Sequence, residues 1–483
     1  MRKVKKIISM LLAAGLVLGA AGCGEKEKET SADKPVQLTW YLPGDQQEGM
    51  ERINEAMNKI LREKIGAEVK IQFIDQGAYQ ERMTMMMSSG DEFDLCHTGY
   101  VLPYIDTVNK GGILPLNDII EKVAPDMWKV LPDYAKATVE HNGEVYGVPN
   151  VQIMARIIGV NIRKDLAEKY NLDVSKIKTI YDLEPYWETI KQNEKSYYPT
   201  RMGMSLSDLH LDKISPIYSM AFLDNETGKM FNYYESDWYK KGIADMHRWY
   251  QAGYIRSDIA TVGDESADMN AGKYATEIGV YKPGGAEELS KNRGIEYISI
   301  PLTEPVLEAG MSRSTIASVG ANSKNPEKAV ELIYLMNTDK ELYNLMCFGE
   351  KDVDYTLLED GIHVKPIEKS GYYQNCSWKF GNIKNAYLLE GAPSDMWEQT
   401  NAINESAYKS KGFGFSFDTA NVRTQISQIA TVLSQYKGLT QGTDDPETVY
   451  PVFLEKLKTG GMDDIYQEVE KQFNEWMKGT VEQ

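Results

Sequence analysis

Between Val36 and Cys96 the hydrophobic pattern switches repeatedly between a period of two and a helical period, and this alternation constrains the fold more tightly than any other feature of the chain. Val36-Gln-Leu-Thr-Trp-Tyr-Leu42 reads as a strand that stops at Pro43-Gly44, after which Met50, Ile53, Met57, Ile60 and Leu61 recur at helical spacing. Val69–Phe73 alternates as a second strand, Tyr79–Ser89 reads as a second helix, and Phe93–Cys96 as a third, short strand. Helix-length crossovers require parallel pairing, so the segment predicts a doubly wound α/β lobe whose ligand crevice lies past the carboxyl ends of its strands. The strand-end stretches Tyr41–Asp45, Asp75–Tyr79 and His97–Tyr100 become candidate crevice walls. Met83, Met85, Met86 and Met87 are read as packing, because an unbranched thioether fills uneven core gaps.

Farther on, Gly143–Asn150 reads as a hairpin-like run, followed by Gln152–Val160 and a helix over Asn161–Tyr170. Ile295–Leu302 is again extended, and Thr315–Val319 is a strand ahead of a helix that Pro326 opens in its first turn. Three helical patterns close the chain, near Val422–Tyr436, Pro446–Lys458 and Asp463–Met477. No Pro/Gly-rich linker separates these sections, so the chain is expected to pass between lobes more than once.

The first residues are of another kind. Met1–Lys6 is basic, Ile7–Ala21 is apolar, and Ala20-Ala21-Gly22 places small residues before Cys23. This is an export signal over residues 1–22, too short for a comfortable membrane span. The position of Cys23 resembles a bacterial lipobox, with Ala20 where leucine is usual; the alternative is an ordinary signal peptide with an incidental cysteine. The charged, aperiodic stretch up to residue 35 fits a tether, and predicts a lipid-anchored domain on a short leash.

The charge balance, 53 Lys and Arg against 71 Asp and Glu for a formal −18, argues against nucleic acid, because such a surface repels phosphate backbones. Thirty Tyr against 11 Phe suits either a polar, aromatic-lined cleft or half-exposed helix faces. Cys96, Cys347 and Cys376 are read as free thiols, with a Cys347–Cys376 disulfide as the exception; no cofactor or metal pattern is present. There is no HExxH, GxSxG or Walker-type motif, and His97, His141, His210, His247 and His363 are scattered, so an enzyme is not expected.

The leader, the tether and a lobe that opens Leu38-Thr-Trp-Tyr-Leu-Pro-Gly44 together resemble the family 1 extracellular solute-binding proteins, receptors of ABC importers. The resemblance is to the oligosaccharide-type subgroup with a C-terminal domain of undescribed function. It is carried by Phe93-Asp-Leu-Cys-His-Thr98, Gly147-Val-Pro-Asn150, Met154-Ala-Arg156, Arg163-Lys-Asp-Leu166, Gly349–Tyr355 with Asp360-Gly361, Phe380-Gly-Asn382, Gly412–Asp418 and Gln472-Phe-Asn-Glu-Trp476. Cys96 and His97 stand where the family varies. The resemblance implies a periplasmic-binding-protein-like α/β fold of two doubly wound lobes joined by hinge crossovers, with extra C-terminal helices. Lobe one would be residues 36–148 plus 303–345, and lobe two 149–302 plus 346–483, with hinges at Val148–Gln152, Ile300–Leu302 and Asn344–Gly349. A monomer anchored outside the cell would close on a small solute, an oligosaccharide by the resemblance, and pass it to the permease subunits.

Sugar recognition needs flat aromatic faces and planar polar groups at a crevice. By position the candidates are Trp40, Tyr41, Asp45, Tyr79, Tyr100 and Tyr104 after the first strands, and Asn150, Gln152 and Arg156 at the first crossover. Tyr281 and Lys282 follow a strand at Glu277–Val280, and Trp378 precedes Phe380-Gly-Asn382. Trp40 also fits a core position, Arg156 an ion pair in the hinge, and Gly412–Asp418 is read as packing. Peptide or amino-acid cargo, which would use Arg156 and Asp45, stays open beside sugar, as does a sensing or adhesion receptor without transport.

Overall fold

The first sheet has the order Ala67–Ile74, Val36–Pro43, Leu95–Gly99, Thr315–Val319, Val148–Pro149. It belongs to a computed structural model that describes residues 34–202, 211–214, 220–262, 265–310, 313–374 and 376–481. The export signal, Cys23 and His210 lie outside the described residues. We name Val36–Pro43 β1, Met50–Ile65 α1, Ala67–Ile74 β2, Gln76–Ser89 α2 and Leu95–Gly99 β3. β1 pairs in parallel with β2 from Val36 opposite Ala67 to Pro43 opposite Ile74, and with β3 at Trp40 opposite Leu95. This is the predicted strand-helix alternation. Thr315–Val319 then runs antiparallel to β3, and Val148–Pro149 antiparallel to Thr315–Val319, so the sheet is mixed at its far side.

Local chemistry sets the helix limits. α1 buries Met50, Ile53, Met57 and Leu61 on one stripe and stops at Gly66, which takes the left-handed conformation at φ 62°. α2 starts one turn earlier than the periodicity indicated because the Asp75 carboxylate accepts from the backbone N–H of Gly77 and Ala78 at 3.0 and 3.2 Å. Met83 and Met86 are buried while Met85 is 55% exposed, so the methionines divide by helix face.

The second sheet has the order Tyr297–Pro301, Ile158–Arg163, Tyr274–Val280, Tyr198–Arg201. Ile158–Arg163 is antiparallel to both of its neighbours, and only Tyr274–Val280 and Tyr198–Arg201 are parallel. The expected α/β fold is what the structure has, with antiparallel pairs that make both sheets mixed. The same ladder explains why Asn161–Arg163, assigned to a helix from sequence, is strand. Asn161 is paired with Glu277 on one side and Ser299 on the other, and the helix spans only Lys164–Lys169. Between the sheets the outgoing and returning segments touch in an antiparallel bridge of Arg156 with Val306.

Residues from Met346 to Ala386 depart from the sequence assignment. They were expected beside the second sheet, yet Cys347, Phe348, Tyr355, Val364, Tyr372, Phe380 and Ala386 pack into the core of the first. Asn344–Gly349 therefore does not cross between lobes. Asn344 is locked inside the first body, donating to the carbonyls of Lys340 and Asn385 and accepting from the N–H of Tyr387. The C-terminal helices Arg423–Gln435, Pro446–Thr459 and Met462–Val481 build a third core with the small sheet Leu211–Lys213, Ala221–Asp224 and Lys229–Asn232. Helix Asp237–Gln251 joins this core to that of the second sheet, with Tyr239 and Ile243 facing one and Met246 and Trp249 the other.

Candidate functional site

A cleft lies between the 346–392 section of the first body, the segment after Tyr274–Val280, and helix Met396–Ser406. Its aromatic lining is Phe348, Tyr373, Trp378, Tyr387 and Trp397. Polar groups from the other elements face them: Gln152 from the crossover, and Lys282, Glu287 and Glu288 from the second sheet's end. Helix Met396–Ser406 closes tightly on this end, since a side chain at Gly284 would collide with the Met396 sulfur.

Each aromatic is held by backbone chemistry. The one-turn helix Ser377–Lys379 presents Trp378. Its backbone is tied down where the Tyr343 hydroxyl donates to the Ser377 carbonyl at 2.6 Å and the Asn150 amide donates to the Lys379 carbonyl at 2.6 Å. Lys379 is buried and donates to the Pro43 carbonyl at 3.1 Å, which fastens this loop to the carboxyl end of β1. Tyr373 is fixed by a reciprocal amide pair with Gln47, at 2.7 and 2.8 Å, and lies parallel to Phe348 with ring centroids 6.1 Å apart. The Trp397 indole donates to the Ala386 carbonyl at 2.9 Å. Lys282 and Glu288 form an ion pair at 2.6 Å at the cleft edge. Such pre-set apolar planes beside fixed polar groups bind a neutral, hydroxyl-rich molecule without large reordering.

The sequence candidates divide sharply. Trp378, Gln152 and Lys282 line the cleft, and Tyr100, 41% exposed, leans on Trp378 with centroids 5.6 Å apart. Tyr281, the neighbour of Lys282, faces an adjoining groove. Asp45 is exposed, outside the cleft lining. Trp40, Tyr79 and Tyr104 are core residues, at 3%, 0% and 3% exposure, and are corrected as crevice walls. Trp40 is enclosed by the parallel ladder, and the tyrosines are held by backbone partners: the Tyr79 hydroxyl bridges Tyr41 and His97, and the Tyr104 hydroxyl donates to the Val139 carbonyl and accepts from the Tyr146 N–H. Tyr41 is half-buried and accepts from Gln72 at 3.1 Å. Asn150 is buried against Lys379 and serves the loop that carries Trp378. Arg156 pairs with Glu308 at 2.6 Å with both side chains about nine-tenths buried, which is the ion-pair reading. His97 is buried, and burial with the nearby Lys379 drops its pKa to about 3, so it is a neutral core ring.

Cys347 and Cys376 also line the cleft as free thiols, and burial pushes Cys376 up to about 11, so it is a poor nucleophile near neutral pH. Gly412–Asp418 is packing: Phe415 and Phe417 enter the C-terminal core while Arg313 donates to the carbonyls of Gly414 and Phe415 at 2.5 and 2.7 Å.

Residues 44–341 match the family described as bacterial extracellular solute-binding protein, and residues 411–478 match a domain of unknown function, DUF3502. The chain belongs to the bacterial extracellular solute-binding proteins. A carbohydrate ABC transporter substrate-binding protein of Streptococcus pneumoniae serotype 4 is 29% identical over 479 residues, covering 96% of each chain. The N-glycan transport solute-binding protein NgtS of Streptococcus pneumoniae superposes with a TM-score of 0.84 at 27% identity, over 92% of this chain and 100% of that one. Its complexes with Man1GlcNAc and Man5GlcNAc superpose at 0.77 and 0.74, at 28% and 27% identity, each over 92% of this chain and 99% of that one. This solute-binding protein is accordingly not an enzyme.

Sequence reasoning missed Phe348, Tyr373, Tyr387 and Trp397. Phe348 and Trp397 lie at helix ends and Tyr373 and Tyr387 in irregular segments, and only the count of 30 Tyr hinted that aromatic lining existed.

Proposed function

We propose that this protein is the lipid-anchored receptor of a carbohydrate ABC importer, which binds an oligosaccharide in the cleft around Trp378, closes on it and delivers it to the permease. The observation that carries this reading is the composition of the cleft: four aromatic side chains from the first body and Trp397 from helix Met396–Ser406, with Gln152, Lys282, Glu287 and Glu288 from the crossover and the end of the second sheet. A ligand that touches both sides supplies the free energy of closure by its differential affinity for the closed state. The carbohydrate names of the relatives support the sugar, and the fall in TM-score from 0.84 to 0.77 and 0.74 among three structures of NgtS supports a movement of bodies. The export signal and Cys23 support an extracytoplasmic, tethered location. Peptide cargo is less well served, since Arg156 is consumed by Glu308 and Asp45 stands away from the aromatics.

The test is a thermal-shift screen of the protein freed of its leader against oligosaccharides, amino acids and peptides, with each hit recovered and analysed. A sugar at a hundredfold excess over its dissociation constant adds about 2.7 kcal/mol to stability and is recovered intact. A shift with peptides alone overturns the cargo, and labelling that leaves Cys23 unlipidated in membranes overturns the anchor.

A further inference from the structure

The cleft does not end at Lys282. Tyr281, its neighbour in sequence, lines a second open groove. This groove lies past the ends of Tyr274–Val280 and Tyr297–Pro301, where the second sheet opens toward the crossover. One helix serves both spaces. Met396 and Thr400 border the aromatic cleft while Ile403 borders the groove, and residues spaced three and four apart share a helix face. From Met396 to Ile403 that face runs about 10 Å at a rise of about 1.5 Å per residue. Tyr281 lines the groove, one residue before Lys282 of the cleft, and is held in place. Its N–H donates to the Ile157 carbonyl at 2.9 Å, and its Cβ lies 2.8 Å from where a Cβ on Gly159 would stand, so only glycine leaves room for it. Around it the groove offers the exposed Ser175 and Lys178 and the half-buried Thr303.

We propose that this groove is a second ligand chamber, which receives the remote sugars of an extended oligosaccharide whose first sugars lie against Trp378, with Tyr281 as the aromatic platform at the junction. The inference rests on the carbohydrate reading above and adds to it the length of the ligand and the side on which the chain leaves the cleft. The groove is also bordered by Leu302–Pro305, the returning segment between the sheets, so a ligand that reaches it touches the crossover itself.

The test is calorimetric titration of the protein freed of its leader with Man1GlcNAc and Man5GlcNAc as short and long probes. Tyr281→Ala removes the platform, and Ser175→Trp, at an exposed position, fills the groove. Both are expected to weaken the long probe about tenfold and to leave the short one within about twofold, whereas Trp378→Ala weakens both. Equal losses for the two probes, or no loss for either, in Tyr281→Ala and Ser175→Trp overturn the second chamber while leaving the carbohydrate reading intact. Wild-type protein that binds neither these nor any other sugar overturns the carbohydrate reading, and the chamber with it.

Discussion

Trp40, after the first strand, and Trp378, in the loop before Phe380-Gly-Asn382, are both candidate ligand contacts by sequence, and the fold uses them in opposite ways. Trp40 sits inside β1 between its parallel neighbours and is 3% exposed. Trp378 sits on a single-turn helix whose backbone is satisfied by Tyr343 and Asn150, so its ring is free to face the cleft. Tyr79 and Tyr104 follow Trp40, and Tyr373 and Trp397 follow Trp378. The lesson is that the regular α/β elements bury the aromatics their periodicity reveals, while the cleft takes its aromatics from helix ends and irregular segments packed on that sheet. Regular elements satisfy their own backbone and so present side chains to a core; turns need outside partners, and those partners fix the side chains they carry.

The comparison can be broken most severely at Trp40. Trp40→Ala is expected to cost about 3–5 kcal/mol of stability by denaturant unfolding, with the affinity of the surviving folded fraction for sugar unchanged. A variant that is stable but unable to bind would place Trp40 in the site. The buried pair between the bodies is next. Glu308→Ala leaves the Arg156 guanidinium buried without its carboxylate and is expected to cost about 3 kcal/mol at neutral pH in the same measurement. Little change in unfolding would mean that solvent reaches Arg156 and that the crossover is looser than described. At Trp378 the order of effects reverses. Trp378→Ala is expected to lower sugar affinity by about 1–2 kcal/mol, read by calorimetry, while the unfolding midpoint moves little.

A smaller effect sharpens the comparison through pH. Both ring nitrogens of His363 face acceptors, the Asp360 carboxylate at 2.6 Å and the carbonyl of Ala392, a cleft residue, at 2.8 Å. Burial lowers the His363 pKa, but these bonds outweigh it and leave the pKa raised. A raised pKa means that the stabilisation is fully present below the unfolded value of about 6.5 and is lost as pH rises through the folded one. Unfolding of wild-type protein between about pH 5 and pH 8 should carry this slope, and His363→Gln should remove it. Asp212 acts in the same direction over a lower window. Burial, with Glu308 nearby, pushes its carboxyl up to about 7, so its contribution is complete below the ordinary carboxylate range and fades as pH climbs to about 7. A His363→Gln profile that still falls above pH 7 would leave the wall at Ala392 independent of this histidine. Tyr100→Phe should do least of all, changing stability by under about 0.5 kcal/mol, because its hydroxyl is only 3.4 Å from Gln76 at an exposed position.

The sequence by itself determined β1 to β3 with the two helices between them, Thr315–Val319, and the C-terminal helices, to within a few residues. Periodic burial on one face imprints a periodic pattern, and caps such as Asp75 and Gly66 set the ends locally. It also carried the charge balance, the lack of catalytic motifs and the family motifs, and hence a solute-binding protein. Tertiary structure alone decided that Asn161–Arg163 would be strand, because strands more than a hundred residues away in the chain claim its hydrogen bonds on both sides. It alone moved Met346–Ala386 into the first body and turned Tyr79, Tyr104 and Arg156 inward. The cleft is a meeting of segments distant in sequence, here Gln152, Lys282, Tyr373, Trp378 and Trp397. No local pattern encodes such a meeting, because its geometry is set by the packing of whole elements and not by the neighbours of any one residue in the chain.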